Sequence, residues 1–278
     1  MQNAGIAELG LNWGYLAFDV HPDLLRAAID GARAMKFIGL NLTVPHKLMA
    51  LQMVDVLDES ARTWGAVNTI RFEARVAGGT VWQPLSEIEG YAEMEVRSVG
   101  FNTDADAIVK SIEEDPGIKL RGARVLLLGA GGAGRTAALR LAAEGVGELF
   151  LVNRTVSKAA DVAGEIGKRF PGVPVRVGYP SGPVELVLNA TSAGLKLNDP
   201  LPLDVAAYPL SQTAAVYDMI YRPAETPLMK AGRAAGCRVT SGIGMLLHQG
   251  AHALEIWTGR KAPVAAMRSA LLKNVYGT

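Results

Sequence analysis

Cysteine, aromatic residues and net charge are all scarce in this chain of 278 residues. The single thiol, Cys237, has no partner for an internal disulfide, which suits a reducing compartment. It stands between the end of a helix and an expected strand, where it reads as packing filler. The formal net charge is +1 with both signs spread along the chain, so there is no electrostatic footprint for nucleic acid or an anionic membrane. No apolar run approaches the ~20 residues that a bilayer-spanning helix needs. A basic start followed by an apolar stretch and a small-residue cleavage site, the mark of secretion, is missing as well. Repeats and low-complexity tracts are also lacking. A cytoplasmic protein of two modest domains, each large enough for its own core, is the expectation.

The most informative feature present is a glycine-rich turn between a strand and a helix. Residues 125–128 form a short apolar run that leads into GAGGAG, and a helical pattern follows. Gly129, Gly131 and Gly134 match GxGxxG, in which glycine permits a tight turn, close approach to a pyrophosphate and close helix–strand packing. With Gly132 and Ala133 they form a cofactor loop whose helix turns free N–H groups toward phosphates. A second strand is expected over residues 148–152. An NAD site places a carboxylate at the tip of that strand, about 20 residues past the glycines. Here the tip reads Asn153-Arg154-Thr155, with Ser157 and Lys158 close behind. A carboxylate would repel a 2′-phosphate, whereas a guanidinium grips one bidentately, so NADP is the expected dinucleotide.

Along the chain the first third alternates helix and strand signals. A helix is expected over residues 3–9, strands over 13–20, 37–42 and 66–72, a helix beginning at Pro22, and two short helices after Pro45. Asp104 opens a helix carrying Ile108, Val109 and Ile112. From residue 124 to 219 the pattern is strand–helix–strand–helix–strand, with later strands at 186–189 and 214–218, as a doubly wound parallel sheet requires. After Ser241 the chain reads as helical to its end, packing back on the first domain. The fold class is therefore α/β, with two α/β domains around a cleft and a Rossmann-type second domain. Residues 1–106, completed by 243–278, make a substrate domain, and 107–242 the NADP-binding domain.

A nicotinamide domain moves a hydride, so the other domain must supply a proton donor. Polar residues cluster at three places there: Asn41-Leu-Thr43-Val-Pro45-His-Lys47, Gly65-Ala-Val-Asn68-Thr69 and Gly100-Phe-Asn102-Thr103-Asp104. A lysine beside a carboxylate in a partly dry site can give or take the proton that ketone reduction requires. Lys47 and Asp104 are the only such pair in these loops. Taken singly, Lys47 also fits a surface lysine at a helix start, and Asp104 fits an N-cap.

The ordered set NLTVPHK, GAVNT, GFNTD, GAGGAGR, NRT, NATSAG, YDMIY and SGIGMLLHQGA resembles the shikimate dehydrogenase family over nearly the whole chain. The resemblance implies NADP-dependent reduction of the 3-keto group of 3-dehydroshikimate, on the route to aromatic amino acids. It implies Lys47 as general acid/base, with Asp104 bonded to it and to the substrate hydroxyls. Thr43, Asn68, Tyr221 and Gln249 would bind the polyol ring, with Asn41 and Asn102 supporting their loops. Gly131, Gly132, Ala133, Asn153, Arg154, Thr155 and Lys158 would hold NADP, and Thr191, Met219, Gly242 and Met245 would line the nicotinamide side. The partner is a small molecule, and the assembly a monomer or homodimer. Two other readings stay open: a quinate/shikimate or aminoshikimate-type dehydrogenase, and an NADP-binding protein without turnover.

Some features depart from the family pattern. Met1-Gln2-Asn3 matches the end of the family's opening Ser-x-Ser-Pro segment, so the sequence is expected to begin inside a longer natural chain; the other explanation is a shortened relative. Between Thr69 and Gly100 lies an insert with Trp82, Pro84 and Tyr91, expected as an exposed hairpin extension, with a lid or subunit contact as the alternative. HQGAH places His248 and His252 one helical turn apart like a zinc motif. Gln249 stands where that motif needs Glu, so no metal is expected and both histidines read as helix-surface or interface residues.

Overall fold

The computed structural model describes residues 1–76, 78–88, 94–196 and 198–277; Tyr91 of the insert lies outside them. In chain order the elements are α1 (Gln2–Glu8), α2 (Leu25–Ala34), β1 (Gly39–Asn41), α3 (His46–Met49), β2 (Val56–Leu57), α4 (Glu59–Trp64), β3 (Thr69–Val76), β4 (Gln83–Pro84), β5 (Met94–Phe101) and α5 (Asp104–Glu114). There follow β6 (Arg124–Leu128), α6 (Gly132–Glu144), β7 (Glu148–Val152), α7 (Val156–Arg169), β8 (Val175–Val177), β9 (Val184–Asn189), β10 (Thr213–Asp218), α8 (Pro227–Ala234), β11 (Arg238–Ser241), α9 (Ile243–Thr258) and α10 (Val264–Tyr276). They divide into two compact α/β units: Met1–Asp104 with Gln249–Leu271, and Ala105–His248 with Leu272–Thr278.

In the first unit the sheet runs β1-β3-β5-β2, with β4 paired to β3. The β3–β5 hairpin is its spine, antiparallel from Thr69↔Phe101 to Val76↔Met94. Ile70, Phe72 and Ala74 alternate inward along β3, as a half-buried strand demands, and meet Leu25, Ile29 and Ala32 of α2. The helix turns that stripe inward because those apolar residues recur at helical spacing. Asp58 caps α4 by accepting from the Ser60 N–H, and Gly65 ends it in the left-handed region at φ 67°.

Residues 13–20 form no strand, contrary to the sequence expectation. Apolar alternation makes a strand only where a neighbour completes its hydrogen-bond ladder, and among the described residues none pairs with this segment. It is held instead by side chains, and Leu16 and Phe18 stay exposed. The strand expected over 37–42 shortens to β1, and that expected over 66–72 begins at Thr69. Residues 67 and 68 spend their N–H groups on the Lys47 and Phe101 carbonyls, which ties the site loops together before the regular ladder starts.

The described part of the insert folds onto the sheet of the first unit. β4 pairs antiparallel with β3, Leu85 enters the core, and the Trp82 ring lies under the guanidinium groups of Arg75 (4.8 Å) and Arg97 (4.3 Å). Its described part is thus a hairpin extension, stabilised by cation–π contacts.

The second unit carries a six-stranded, all-parallel sheet in the order β11-β10-β9-β6-β7-β8. Its central strands are dominated by buried apolar residues, 125–128 on β6 and Leu186, Val187 and Leu188 on β9, the pattern of a buried parallel sheet. Strand order reverses between β6 and β9, so the carboxyl ends at Leu128 and Asn189 mark the topological switch point where such sheets bind ligands. Cys237 is packed in this core, with Sγ 3.3 Å from the Leu210 carbonyl oxygen, and burial pushes its pKa up.

Candidate functional site

The glycine turn emerges at the switch point of the second unit. Gly129 adopts φ +105°, a conformation that side chains disfavour, as the chain leaves β6. A Cβ on Gly134 would stand 2.1 Å from the Gly129 carbonyl oxygen, so only glycine lets α6 pack this closely on the turn. Gly131 is the N-cap of α6 and offers no side-chain cap, and Gly131, Gly132 and Ala133 are exposed. Added Cβ atoms at Gly131 and Gly132 would meet nothing within 4 Å. Exposed helix N–H groups beside open space match the needs of a pyrophosphate, so this loop fits a dinucleotide.

Asn153, at the end of β7, orients the turn: its Oδ1 accepts from the Ala130 N–H at 3.0 Å and its Nδ2 donates to the Thr155 carbonyl at 2.8 Å. That leaves Arg154, Thr155 and Lys158 exposed at the strand tip and at the start of α7. Among the described residues no carboxylate forms an ion pair with Arg154 or Lys158. By contrast, Arg135 of the same unit is occupied by Glu165 at 2.7 Å. The chemistry of this tip suits a 2′-phosphate.

Thr191, Met219, Gly242 and Met245 lie on or beside the strand ends of the same unit. Sequence reasoning missed the residues that hold them. Asn189 Nδ2 donates to Asp218 Oδ1 at 2.9 Å, and Asn189 Oδ1 accepts from the Thr191 hydroxyl at 2.7 Å. Asp218 also accepts from the Thr226 hydroxyl at 2.6 Å and the Ile220 N–H at 3.0 Å; burial outweighs these bonds and raises its pKa. The signal was visible, since Asn189 and Asp218 are the polar residues in NATSAG and YDMIY that end apolar strands. Gly242 is required where it stands, because a Cβ there would be 2.1 Å from the Met219 carbonyl oxygen. Tyr221 belongs to this second unit, and its carbonyl accepts from the Tyr276 hydroxyl.

In the first unit, three loops bring the predicted polar residues together. Lys47, in the short α3 after β1, has Nζ 2.7 Å from Asp104 Oδ2. Asp104 opens α5, and its N–H donates to Asn102 Oδ1 at 3.1 Å. Asn68, just ahead of β3, donates from Nδ2 to Asp104 Oδ1 at 3.0 Å and to Thr103 Oγ1 at 2.9 Å. The same Nδ2 stands 3.5 Å from Gln249 Oε1 on α9. The lysine side chain is 27% exposed and the aspartate 12%, so the pair is partly dry but reachable. Thr43 lies exposed in the loop between β1 and α3, with its carbonyl accepting from the His46 N–H. Asn102 supports the cluster by donating to the Ala66 carbonyl at 3.1 Å. Thr103, fully buried, is the member of the polar clusters to which the sequence assigns no role; its N–H donates to Asn68 Oδ1 at 2.8 Å. In the adjoining motif His248 is buried rather than on a helix surface, with Nε2 2.8 Å from Glu114 Oε2. Among the described residues no helix is long and apolar enough to cross a membrane.

Comparison with known proteins follows the same division. Residues 1–70 match the family described as "Shikimate dehydrogenase substrate binding domain", residues 109–175 "Shikimate / quinate 5-dehydrogenase", and residues 242–272 "Shikimate 5'-dehydrogenase C-terminal domain". A shikimate dehydrogenase (NADP(+)) of Methanopyrus kandleri is 38% identical over 99% of this chain and 90% of its own. A shikimate dehydrogenase crystallised with NADP+ superimposes with TM-score 0.81 at 31% identity, covering 98% of this chain and 89% of that one. The 5-ketofructose reductase of a Gluconobacter strain does so with TM-score 0.77 at 32% identity, over 99% of this chain and 92% of that one.

Proposed function

The chain belongs to the shikimate dehydrogenase family, and we propose on that premise that it reduces 3-dehydroshikimate to shikimate, with Lys47 and Asp104 handling the proton. The observation that carries this reading is the Lys47–Asp104 contact at 2.7 Å, with Asn68 bonded to the other carboxylate oxygen. NADPH, when bound, would supply the hydride that the substrate's carbonyl carbon accepts. As the carbonyl oxygen gains charge, Lys47 Nζ–H donates a proton to it, leaving a neutral amine that solvent recharges; in the oxidative direction the amine takes the proton back. Asp104 holds the ammonium in place and, with Asn68, Thr43, Tyr221 and Gln249, offers acceptors and donors to the ring hydroxyls. A site built this way discriminates strongly, because a missing hydroxyl leaves buried polar groups unpaired.

The glycine loop, Asn153, Arg154, Thr155 and Lys158 would hold the cofactor, and Thr191, Met219, Gly242 and Met245 would line its nicotinamide side. The substrate domain corresponds to the first compact unit, Met1–Asp104 with Gln249–Leu271, and the cofactor domain to the second. We place the enzyme in the cytosol, as a monomer or homodimer. Steady-state assay of 3-dehydroshikimate reduction with NADPH and NADH tests the reading. NADPH is expected to be preferred, and Arg154→Ala to erode that preference by about 10- to 100-fold, the worth of charge-assisted bonds to a phosphate. No turnover of 3-dehydroshikimate, or a clear preference for NADH, overturns it. A second reading, quinate as substrate, draws on the shikimate/quinate description matched by residues 109–175; a higher kcat/KM for quinate than for shikimate in the oxidative direction would favour it.

A further inference from the structure

Tyr15 lies in the irregular segment after α1 and takes no part in the chemistry above. Its hydroxyl donates to Asn41 Oδ1 at 3.0 Å. Asn41 Nδ2 then donates to Thr69 Oγ1 at 3.0 Å, and Thr69 Oγ1 to Asn68 Oδ1 at 3.3 Å. From Asn68 the bonds continue to Asp104, and from Asp104 to Lys47. The donors from the phenol as far as Asp104 all point toward the carboxylate, and Lys47 Nζ donates to it from the other side.

We propose that Tyr15 is a positioning residue for the Lys47–Asp104 pair, acting through Asn41, Thr69 and Asn68; this rests on the reading of Lys47 as the proton donor. The two ends of an amide are nearly alike in shape, so its orientation is set by its partners. With Tyr15 donating to Oδ1, Asn41 presents its NH2 to Thr69 Oγ1 and to the Asn68 carbonyl (3.3 Å), which leaves the Thr69 hydroxyl, with Thr103 Oγ1 at 3.4 Å its other neighbour, free to donate to Asn68 Oδ1. Asn68, held on that oxygen also by the Thr103 N–H, keeps its NH2 on Asp104. Turned over, it would set a carbonyl oxygen against the carboxylate. Such chains polarise one another and gain more than their separate bonds.

The anchoring of Tyr15 is consistent with that task. Asn3 grips its backbone from both sides: the Tyr15 N–H donates to Asn3 Oδ1 at 2.7 Å, and Asn3 Nδ2 donates to the Tyr15 carbonyl at 3.0 Å. The ring leans on Trp257, centroids 6.2 Å apart, and Trp257 Nε1 donates to the Ile70 carbonyl at 2.9 Å on β3. Burial pushes the phenol pKa up, so it remains a donor throughout the neutral range. A tyrosine kept only for packing would need the ring and not the hydroxyl.

Tyr15→Phe preserves the ring and removes the first donor. It is expected to lower kcat about fivefold, ~1 kcal/mol at 1.36 kcal/mol per decade, with the KM for NADPH unchanged. Thr69→Val should act in the same direction, Thr69→Ser should keep parental kcat, and the Tyr15→Phe/Thr69→Val double variant should be no slower than Thr69→Val, because both cut one path. Independently of turnover, acetic anhydride labelling read by peptide mass spectrometry should show Lys47 reacting about threefold faster in Tyr15→Phe, relative to the exposed Lys230, as its hold on Asp104 loosens. Unchanged kcat and Lys47 labelling in Tyr15→Phe, or additive losses in the double variant, overturn the proposal. Should the parent fail to reduce 3-dehydroshikimate, the functional reading falls while the labelling comparison still decides whether Tyr15 positions Lys47.

Discussion

The two units build their sites from different materials. In the second, the glycine turn proposed to hold the cofactor is mostly backbone: glycines that tolerate a close turn, and the uncapped N-terminus of α6. In the first, the site is side chain on side chain, with Lys47, Asn68, Thr103 and Asp104 drawn from separate loops. On the function proposed above, the difference follows from what each would recognise. A pyrophosphate is a diffuse negative charge that oriented N–H groups satisfy wherever the chain can approach closely. A small polyol acid presents hydroxyls in fixed directions, which only side-chain donors and acceptors of matching geometry can meet. Backbone sites are therefore local and tolerant, and side-chain sites are scattered and exacting.

The largest test of that contrast is Lys47→Ala. It should cut kcat by about 10²- to 10⁴-fold, the usual worth of a positioned proton donor, while the NADPH Kd measured by fluorescence titration stays within about twofold. A large loss of NADPH affinity would place Lys47 in the cofactor site and dissolve the division of labour. Gly134→Ala is the mirror experiment. Its Cβ would press on the Gly129 carbonyl, so the turn must shift, and NADPH Kd should rise about tenfold or more. The Lys47 acetylation rate should not change. Equal damage to both readouts would mean the loop is not a self-contained module.

The smallest effect concerns the frame of the first unit rather than its chemistry. Glu73 is almost wholly buried in β3 and accepts from Arg71 and Arg97. Burial alone would raise its pKa, but those two guanidinium groups overcome it and hold the carboxyl below the ordinary range. A depressed carboxyl adds stability that is present above its unfolded pKa of about 4.3 and is lost as pH falls through the folded value. Thermal melts should thus show Tm dropping between about pH 5 and pH 3, and Glu73→Gln should flatten that slope while lowering Tm at pH 7 by about 3 °C. An unchanged slope would remove Glu73 from the acid response.

Legibility tracked this same contrast. The strand, glycine turn and helix could be read directly, because they and the Asn153-Arg154 tip are contiguous and each has a local physical reason. The helices were readable from spacing, as Leu25, Ile29 and Ala32 illustrate. Asn189 and Asp218 went unread because their bond joins neighbouring parallel strands 29 residues apart in sequence. The segment at 13–20 carried a strand's alternation, yet strand formation belongs to the partner as much as to the segment. Thr103 was passed over because a threonine between two polar residues has no signature until its N–H is seen bonding Asn68.

The amino-acid sequence by itself determined the α/β class, the doubly wound second domain and the expectation of a phosphorylated dinucleotide, since each depends on neighbours along the chain. Tertiary structure alone decided that Lys47 and Asp104 meet at 2.7 Å, that Asn68 turns its amide toward Asp104, and that Tyr15 is wired to them. Those are contacts among residues far apart in the chain. Only the folded sheet, which brings the ends of β1, β3 and β5 side by side, closes the distances between them.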